Sequence, residues 1–188
     1  NLTTGLGSGF YPKDPMLPSE AGPGTHIWTA ERRVEHVLKL KPEICTLDCG
    51  TMNFASGGDY IMVNTPGVLR SMAAQVQALG VRPELEVFDT GHLVQVKEMV
   101  RDGLLDDPVM IQLCMGIAYG APDDPTTFMA MVNNLPNDCV FSGFSISRMQ
   151  LPFVAMAALA GGNVRVGLED NLYAGPGELA TNARLVEK

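Results

Sequence analysis

Short runs rich in apolar and β-branched residues alternate along this chain with longer stretches whose apolar positions recur at helical spacing. Alternating strand-like and helix-like segments are the pattern of parallel βαβ units. Strands are predicted over residues 44–47, 84–88, 109–114, 140–144 and 164–168, with a stub at 1–4. Helices are predicted between and after them, over 30–38, 66–79, 92–102, 125–133, 152–159 and 177–187. The clearest periodicity is Leu69, Met72, Val76 and Leu79, one apolar stripe at 3.6-residue spacing that Gly80 closes and that reads as core-facing.

Polar residues and glycines gather directly after the strand segments. They are Asp48, Gly50, Thr51 and Asn53 after the second, Asp89, Gly91 and His92 after the third, and Glu169, Asp170 and Asn171 after the last. In a (β/α) barrel such positions converge on the C-terminal face, where the chemistry is done. A flavodoxin-like open sheet also collects ligand groups at strand ends, but it has about five strands and usually a glycine-rich phosphate loop, which is not evident here. Six strand and helix pairs favour a barrel, and a barrel of this kind closes only with eight. The expected architecture is therefore an α/β (β/α)8 TIM barrel represented by about six β/α units, one partial barrel domain over residues 1–188. Asn1 falls in what reads as the tail of a strand and the last helix reaches Lys188 without a C-cap, so truncation is expected at both ends. Residues 9–25, rich in Pro and Gly, read as a long loop on the active-site side, either a lid or decoration.

Composition narrows the function classes. At 188 residues with 46% apolar content the chain has enough material for a well-buried core. Its formal charge of −8 comes from scattered Asp and Glu, and its 13 Lys and Arg never cluster, which argues against nucleic acid as a partner. No apolar stretch reaches the roughly 18 residues of a membrane span, so no membrane partner is expected. Cys45, Cys49, Cys114 and Cys139 lie in or beside apolar runs without framework spacing, which suits reduced thiols and a cytoplasmic location. Cys45 and Cys49 form a CxxxC pair, but no second Cys or His pair stands at zinc-finger spacing.

The densest chemistry lies in residues 164–173. On a strand, Arg165 and Gly167 point one way and Val166 and Leu168 the other; Glu169 continues the inward set, and Asp170 at the strand end can turn back onto Arg165 or Arg148. An arginine inside a barrel is costly unless paired, so it is satisfied by a carboxylate or binds an anionic substrate. His26, His36 and His92 offer no His-x-His or HExxH spacing, and a catalytic zinc needs about three protein ligands. A complete zinc site cannot be assembled from these residues. His92 opens a helix after Gly91, where a capping or supporting role fits better than ligation.

Read together, residues 1–5 (NLTTG), 41–43 (KPE), 47–54 (LDCGTMNF), 84–92 (ELEVFDTGH) and 164–173 (VRVGLEDNLY), with residues 179–180 and 182–187 after them, resemble the β-keto acid cleavage enzyme family, best known for 3-keto-5-aminohexanoate cleavage. The resemblance spans the chain in order; VRVGLEDNLY and ELEVFDTGH are specific, and the Thr and Gly segment is not. It implies an eight-stranded barrel of which this chain carries the third to the eighth strands. It further implies a zinc ion held by a His-x-His of the second strand and by the glutamate of the GLED motif, here Glu169. The His-x-His is absent from this chain. Ser147 also departs from the family, which usually has glycine before Arg148.

The activity implied is condensation of a β-keto acid with acetyl-CoA to give acetoacetate and a new acyl-CoA. The motif match assigns Arg165 and Asp170 as a catalytic dyad with Glu86 as a further catalytic residue. It assigns Thr3, Thr51 and Asn53 to substrate binding, although turn chemistry in residues 49–53 is an alternative for the last two. A homotetramer is the implied assembly. Lacking the histidines, this chain alone is expected to bind zinc poorly and to be inactive. The competing readings are a metal-assisted aldolase or lyase barrel without CoA, and a non-catalytic barrel fragment acting as a binding or assembly module.

Overall fold

A computed structural model of the chain describes residues 1–54 and 59–188. Its main sheet has six strands: β1 (Leu2–Thr3), β2 (Ile44–Cys49), β3 (Arg82–Val87), β4 (Met110–Met115), β5 (Val140–Ser145) and β6 (Asn163–Val164). They lie side by side in sequence order, and every neighbouring pair is parallel. This is the order that barrel topology demands. The sheet is not closed, since β1 and β6 pair on one side only.

Helices α1 (Ala30–Leu40), α2 (Pro66–Ala78), α3 (Thr90–Arg101), α4 (Pro125–Asn133), α5 (Gln150–Leu159) and α6 (Asn182–Glu187) alternate with the strands. Their starts are written in the sequence. Thr29, Thr65, Asp89, Asp124 and Thr181 each accept a backbone N–H of the first turn, and Pro66 and Pro125 follow two of these caps. Gly80, at φ +69, ends α2, where a side chain would be strained.

The two faces of the sheet differ in chemistry because strand residues alternate sides. Leu47 and Cys49, Leu85 and Val87, and Ile111 and Leu113 are buried against the stripe Leu69, Met72 and Val76 of α2 and its neighbours. Phe128 of α4 and Phe153 of α5 meet edge to face at 5.6 Å, and a Cβ at Gly143 would lie 2.8 Å from the Phe128 ring. On the other face Asp48, Glu86, Gln112 and Ser142 stand in one register row across four adjacent strands.

Two segments depart from expectation. The sixth strand was predicted over 164–168 but comprises only Asn163–Val164. Beyond it the Gly167 carbonyl accepts from Asp170 N, Asn171 N and the Gln150 amide, turning the chain away from any ladder. The last helix was predicted from residue 177 but starts at Asn182 behind the Thr181 cap. Tyr173–Gly175 and Glu178–Leu179 form an antiparallel hairpin instead, with Gly177 at φ +75 in its turn.

A second, antiparallel sheet of four short strands was not anticipated: His26–Ile27, Ser8–Phe10, Tyr60–Met62 and Met52–Phe54, in that spatial order. It roots the segment 9–25 as an arm whose sides meet at Pro12 and Ala21 and at the Lys13–Glu20 ion pair, 2.7 Å. Glycine fits closely at position 9, where a Cβ would stand 2.4 Å from the His26 ring and 2.8 Å from the Tyr60 ring unless those rings moved.

Candidate active site

At the C-terminal ends of the parallel strands a cavity of about 540 Å³ opens, with the antiparallel sheet contributing Ser8, Phe54, Tyr60 and Met62 to its wall. Arg165, just past β6, is its organising group. Its Nε and Nη2 donate to the two oxygens of Asp170 at 3.0 and 3.1 Å, a bidentate pairing. Nη2 also reaches Glu169 at 2.6 Å, and Nη1 donates to Gln112 Oε1 at 2.6 Å and to Glu86 Oε1 at 3.4 Å. The guanidinium lies 4.3 Å from the centre of the Phe144 ring, a cation–π contact in a partly desolvated place. Burial by itself would weaken the charge of Arg165, but the surrounding Glu86, Asp170 and Glu169 overrule it and raise its pKa.

The carboxyls divide by environment. Glu86 and Asp48 face each other in register on β3 and β2. Burial pushes both proton affinities up, and the neighbouring Asp48 charge adds to the rise at Glu86, which stands well above the ordinary glutamate range. Asp170 is also pushed up by burial, partly offset by Arg165. Glu169 differs, with 82% of its side chain exposed.

Cys114 lines the cavity, but burial raises its thiol well above the ordinary value, so it is a packing residue rather than a nucleophile. Cys45 is likewise buried and pushed up to about 11. His92 accepts the Phe88 N–H on Nδ1 at 3.2 Å, and burial lowers its pKa, leaving a neutral ring. That ring packs where a Cβ of Gly50 would be, 2.1 Å from Cδ2, so glycine is the residue that fits beneath it.

Of the residues singled out in the sequence, Arg165, Asp170, Glu86, Glu169 and Thr3 line this one cavity. Thr51 and Asn53 do not. Thr51 Oγ1 accepts Asn64 N at 2.9 Å, and both residues are exposed. Met52 and Phe54 join the apolar cluster beside the cavity, so strand alternation turns Asn53 the other way. Asp170 pairs with Arg165 and not with Arg148. Sequence reasoning noted Asp48 only as one polar residue near a strand end and missed Gln112 and Tyr60. A lone amide within the apolar run 109–114 was the available signal for Gln112.

The zinc ion implied by resemblance needs about three protein ligands. Among the described residues no three His, Cys, Asp or Glu side chains converge in metal-holding geometry. Glu169, exposed and single, could supply one ligand, but the residues of this chain do not by themselves fit the ion. A second cavity of about 650 Å³ shares Thr3, Glu86, Arg165 and Glu169 with the first and is bounded by Asn1 and Val164, beside the two unpaired sheet edges.

Parallel strands in sequence order, with an arginine and several carboxyls gathered at their C-terminal ends, define a (β/α)-barrel-type protein with a charged cavity at its functional face. The chain belongs to the beta-keto acid cleavage enzyme family, whose model matches residues 1–188. It is 60% identical over its whole length to the 3-dehydrocarnitine:acetyl-CoA trimethylamine transferase of Rhizobium meliloti (strain 1021), of which it covers 63%. It is 38% identical over 85% of its length to the 3-keto-5-aminohexanoate cleavage enzyme of Acetoanaerobium sticklandii, of which it covers 58%. The chain thus spans about three fifths of the length of these relatives. The solved structure of ObcA with oxaloacetate shares the fold, with a TM-score of 0.60 at 20% identity over 77% of this chain and 40% of the other.

Proposed function

We propose that the full-length protein exchanges acyl groups between a β-keto acid and acetyl-CoA, and that residues 1–188 act in it as one partial barrel unit. The observation that carries this reading is the Arg165 cluster, in which one guanidinium holds Asp170 by two hydrogen bonds and touches Glu169 and Glu86 in a single cavity, with Gln112 as a further acceptor.

In this reading Asp170, with its raised proton affinity and fixed by Arg165, takes a proton from the methylene between the ketone and the carboxylate. The carbanion forms a carbon–carbon bond to the acetyl carbonyl, and the carbon–sulfur bond breaks to release the CoA thiolate. That thiolate adds to the original ketone carbon. The bond between this carbon and the former methylene then breaks, its electron pair staying on acetoacetate, where the proton returns. Glu86, its proton affinity raised, donates a hydrogen bond to the oxygen that gains charge, and of the substrate-binding residues that the family motif assigns Thr3 lines this cavity, while Thr51 and Asn53 stand outside it. Zinc binding by the full-length protein belongs to the same reading. Glu169 is the ligand this chain would contribute to an ion that polarises a carbonyl.

The 60% identical relative suggests the substrate: 3-dehydrocarnitine, a β-keto acid with a trimethylammonium head, giving trimethylammonioacetyl-CoA and acetoacetate. A cation suits this cavity, since Asp48, Glu169 and Asp170 outnumber its one arginine and the rings of Phe54, Tyr60, Phe88 and Phe144 line it. A cytoplasmic homotetramer completes the reading. The test is to incubate the full-length protein with a panel of β-keto acids, with and without acetyl-CoA, and to quantify acetoacetate, acyl-CoA and bound metal. Acetoacetate that forms only with acetyl-CoA, fastest from 3-dehydrocarnitine, is the expected result; cleavage independent of acetyl-CoA would replace the reading with an aldolase or lyase.

A further inference from the structure

A separate cavity of about 460 Å³ lies behind the active site and differs from it in charge. Its charged lining side chains are Arg148 and Lys188, and no Asp or Glu lines it, in a chain whose formal charge is −8. Leu151, Pro152 and Tyr173 supply apolar surface beside the two cations. Among the described residues Arg148 forms no ion pair and lies exposed, while Lys188 Nζ donates only to the Ala174 carbonyl.

The position relative to the active site is set by two chain segments. Ile146 and Asp170 line the catalytic cavity, and the residues next to them, Ser147 and Asn171, line the other. The segments are tied together by Ser147 N donating to Asp170 O at 2.6 Å. Ser147 has φ 56, the left-handed region that favours glycine, and the turn there is what sends Arg148 to the far side of the partition. Asn171 holds the partition's other half, accepting from Tyr173 N at 3.1 Å and donating to Tyr173 O at 2.7 Å.

We propose that this cavity receives the phosphate-bearing adenosine end of the CoA thioester, with Arg148 and Lys188 holding phosphate and Leu151, Pro152 and Tyr173 flanking the base. The proposal rests on the reading of acetyl-CoA as co-substrate. Two unneutralised cations call for a multiply charged anion, and arginine binds phosphate oxygens in a forked geometry. The apolar surface calls for a flat, weakly polar group attached to it. A long thioester joins such an end to a reactive acyl group by a flexible arm, which suits a site divided from the catalytic cavity by one thin partition.

The test uses the full-length protein, adenosine 3′,5′-bisphosphate as the binding probe in calorimetry, and steady-state rates with acetyl-CoA. Arg148→Ala should weaken probe binding and raise the KM for acetyl-CoA by about tenfold, and Arg148→Glu by more, while kcat and the KM for the β-keto acid stay within about twofold. Lys188→Ala should act in the same direction and less. Because Arg148 is exposed, these variants should fold as the parent does. Probe affinity unchanged in Arg148→Glu would overturn the proposal, as would a wild-type protein that binds no probe. If turnover needs no acetyl-CoA, the proposed reaction falls, yet probe binding that Arg148→Glu abolishes would keep this cavity as a nucleotide-phosphate site.

Discussion

Two arginines withdrawn from solvent show how the same side chain serves two ends in this molecule. Arg33, on α1, is 2% exposed and donates to neutral acceptors: Thr4 O through Nε and Nη2 at 3.0 and 2.9 Å, and Asn64 Oδ1 through Nη1 at 2.7 Å. Burial lowers its pKa, although Asp48 acts in the opposite direction. Arg165 keeps 23% of its side chain exposed, and its acceptors are carboxylates and one amide oxygen of the cavity. Carbonyl and amide partners satisfy donors without changing protonation, so the Arg33 cluster ties the β1 end to α1 and does little else. Carboxylate partners hold charge that can be exchanged for substrate charge or for a proton, so the Arg165 cluster is poised for chemistry.

The sharpest test of this contrast is Arg165→Ala in the full-length protein, expected to lower turnover by roughly 10²–10⁴-fold while leaving the fold intact by circular dichroism. Arg165→Lys should recover little, because an ammonium cannot copy the fork, and Asp170→Asn should fall by a similar order. Arg33→Met should do the reverse. It leaves Thr4 O and Asn64 Oδ1 unpaired and should cost about 3 kcal/mol in urea unfolding, with the rate per folded molecule nearly unchanged. Loss of turnover there without loss of stability would erase the distinction.

A smaller effect concerns pH. The folded-state pKa of Glu86 is raised above its unfolded value, so its contribution to stability is present below the ordinary glutamate range and is lost as pH rises through the raised value. The unfolding midpoint should therefore decline as pH rises above the ordinary glutamate range, and Glu86→Gln should flatten that decline. An equally steep decline in the variant would move the titration to another group. The smallest effect is expected for Thr51→Ala, which loses the bond to Asn64 N and about 1 kcal/mol of stability, with the KM for the β-keto acid within about twofold. A tenfold rise in that KM would place Thr51 against substrate.

Strand and helix alternation is a local property, and the sequence carried it well. The starts of α1, α2 and α4 were legible because Thr29, Thr65 and Asp124 are side-chain caps, two of them followed by proline. The parallel order of the six strands followed from the same alternation. The antiparallel sheet was not legible, since its strands are two or three residues long and show no run in which period-2 alternation can be counted. The early end of β6 was hidden for a related reason. VRVGL alternates like a strand, but three donors converge on the Gly167 carbonyl and Leu168 N donates to Asn182 Oδ1, so these groups are taken from the ladder.

The site divides along the same line. Arg165, Glu169 and Asp170 are close in sequence, so the motif that contains them already specifies most of the ion cluster, and its likeness to a family carried Glu86 and Thr3 along. Asp48 and Gln112 come from segments far apart in the chain, and register places them beside Glu86, Asp48 opposite it on one side and Gln112 on the other, while Tyr60 reaches the cavity from the separate antiparallel sheet. The raised proton affinity of Glu86, which burial and the facing Asp48 charge produce, is a property of two neighbouring strands and of neither alone. The sequence by itself determined which segments become strands and helices and which residues carry charge, because caps, periodicity and residue chemistry act over a few positions. The tertiary structure alone decided which face Asn53 shows, which carboxylates surround Arg165 and which carboxyls have their proton affinity raised, because those depend on desolvation and on distances between residues remote in the chain.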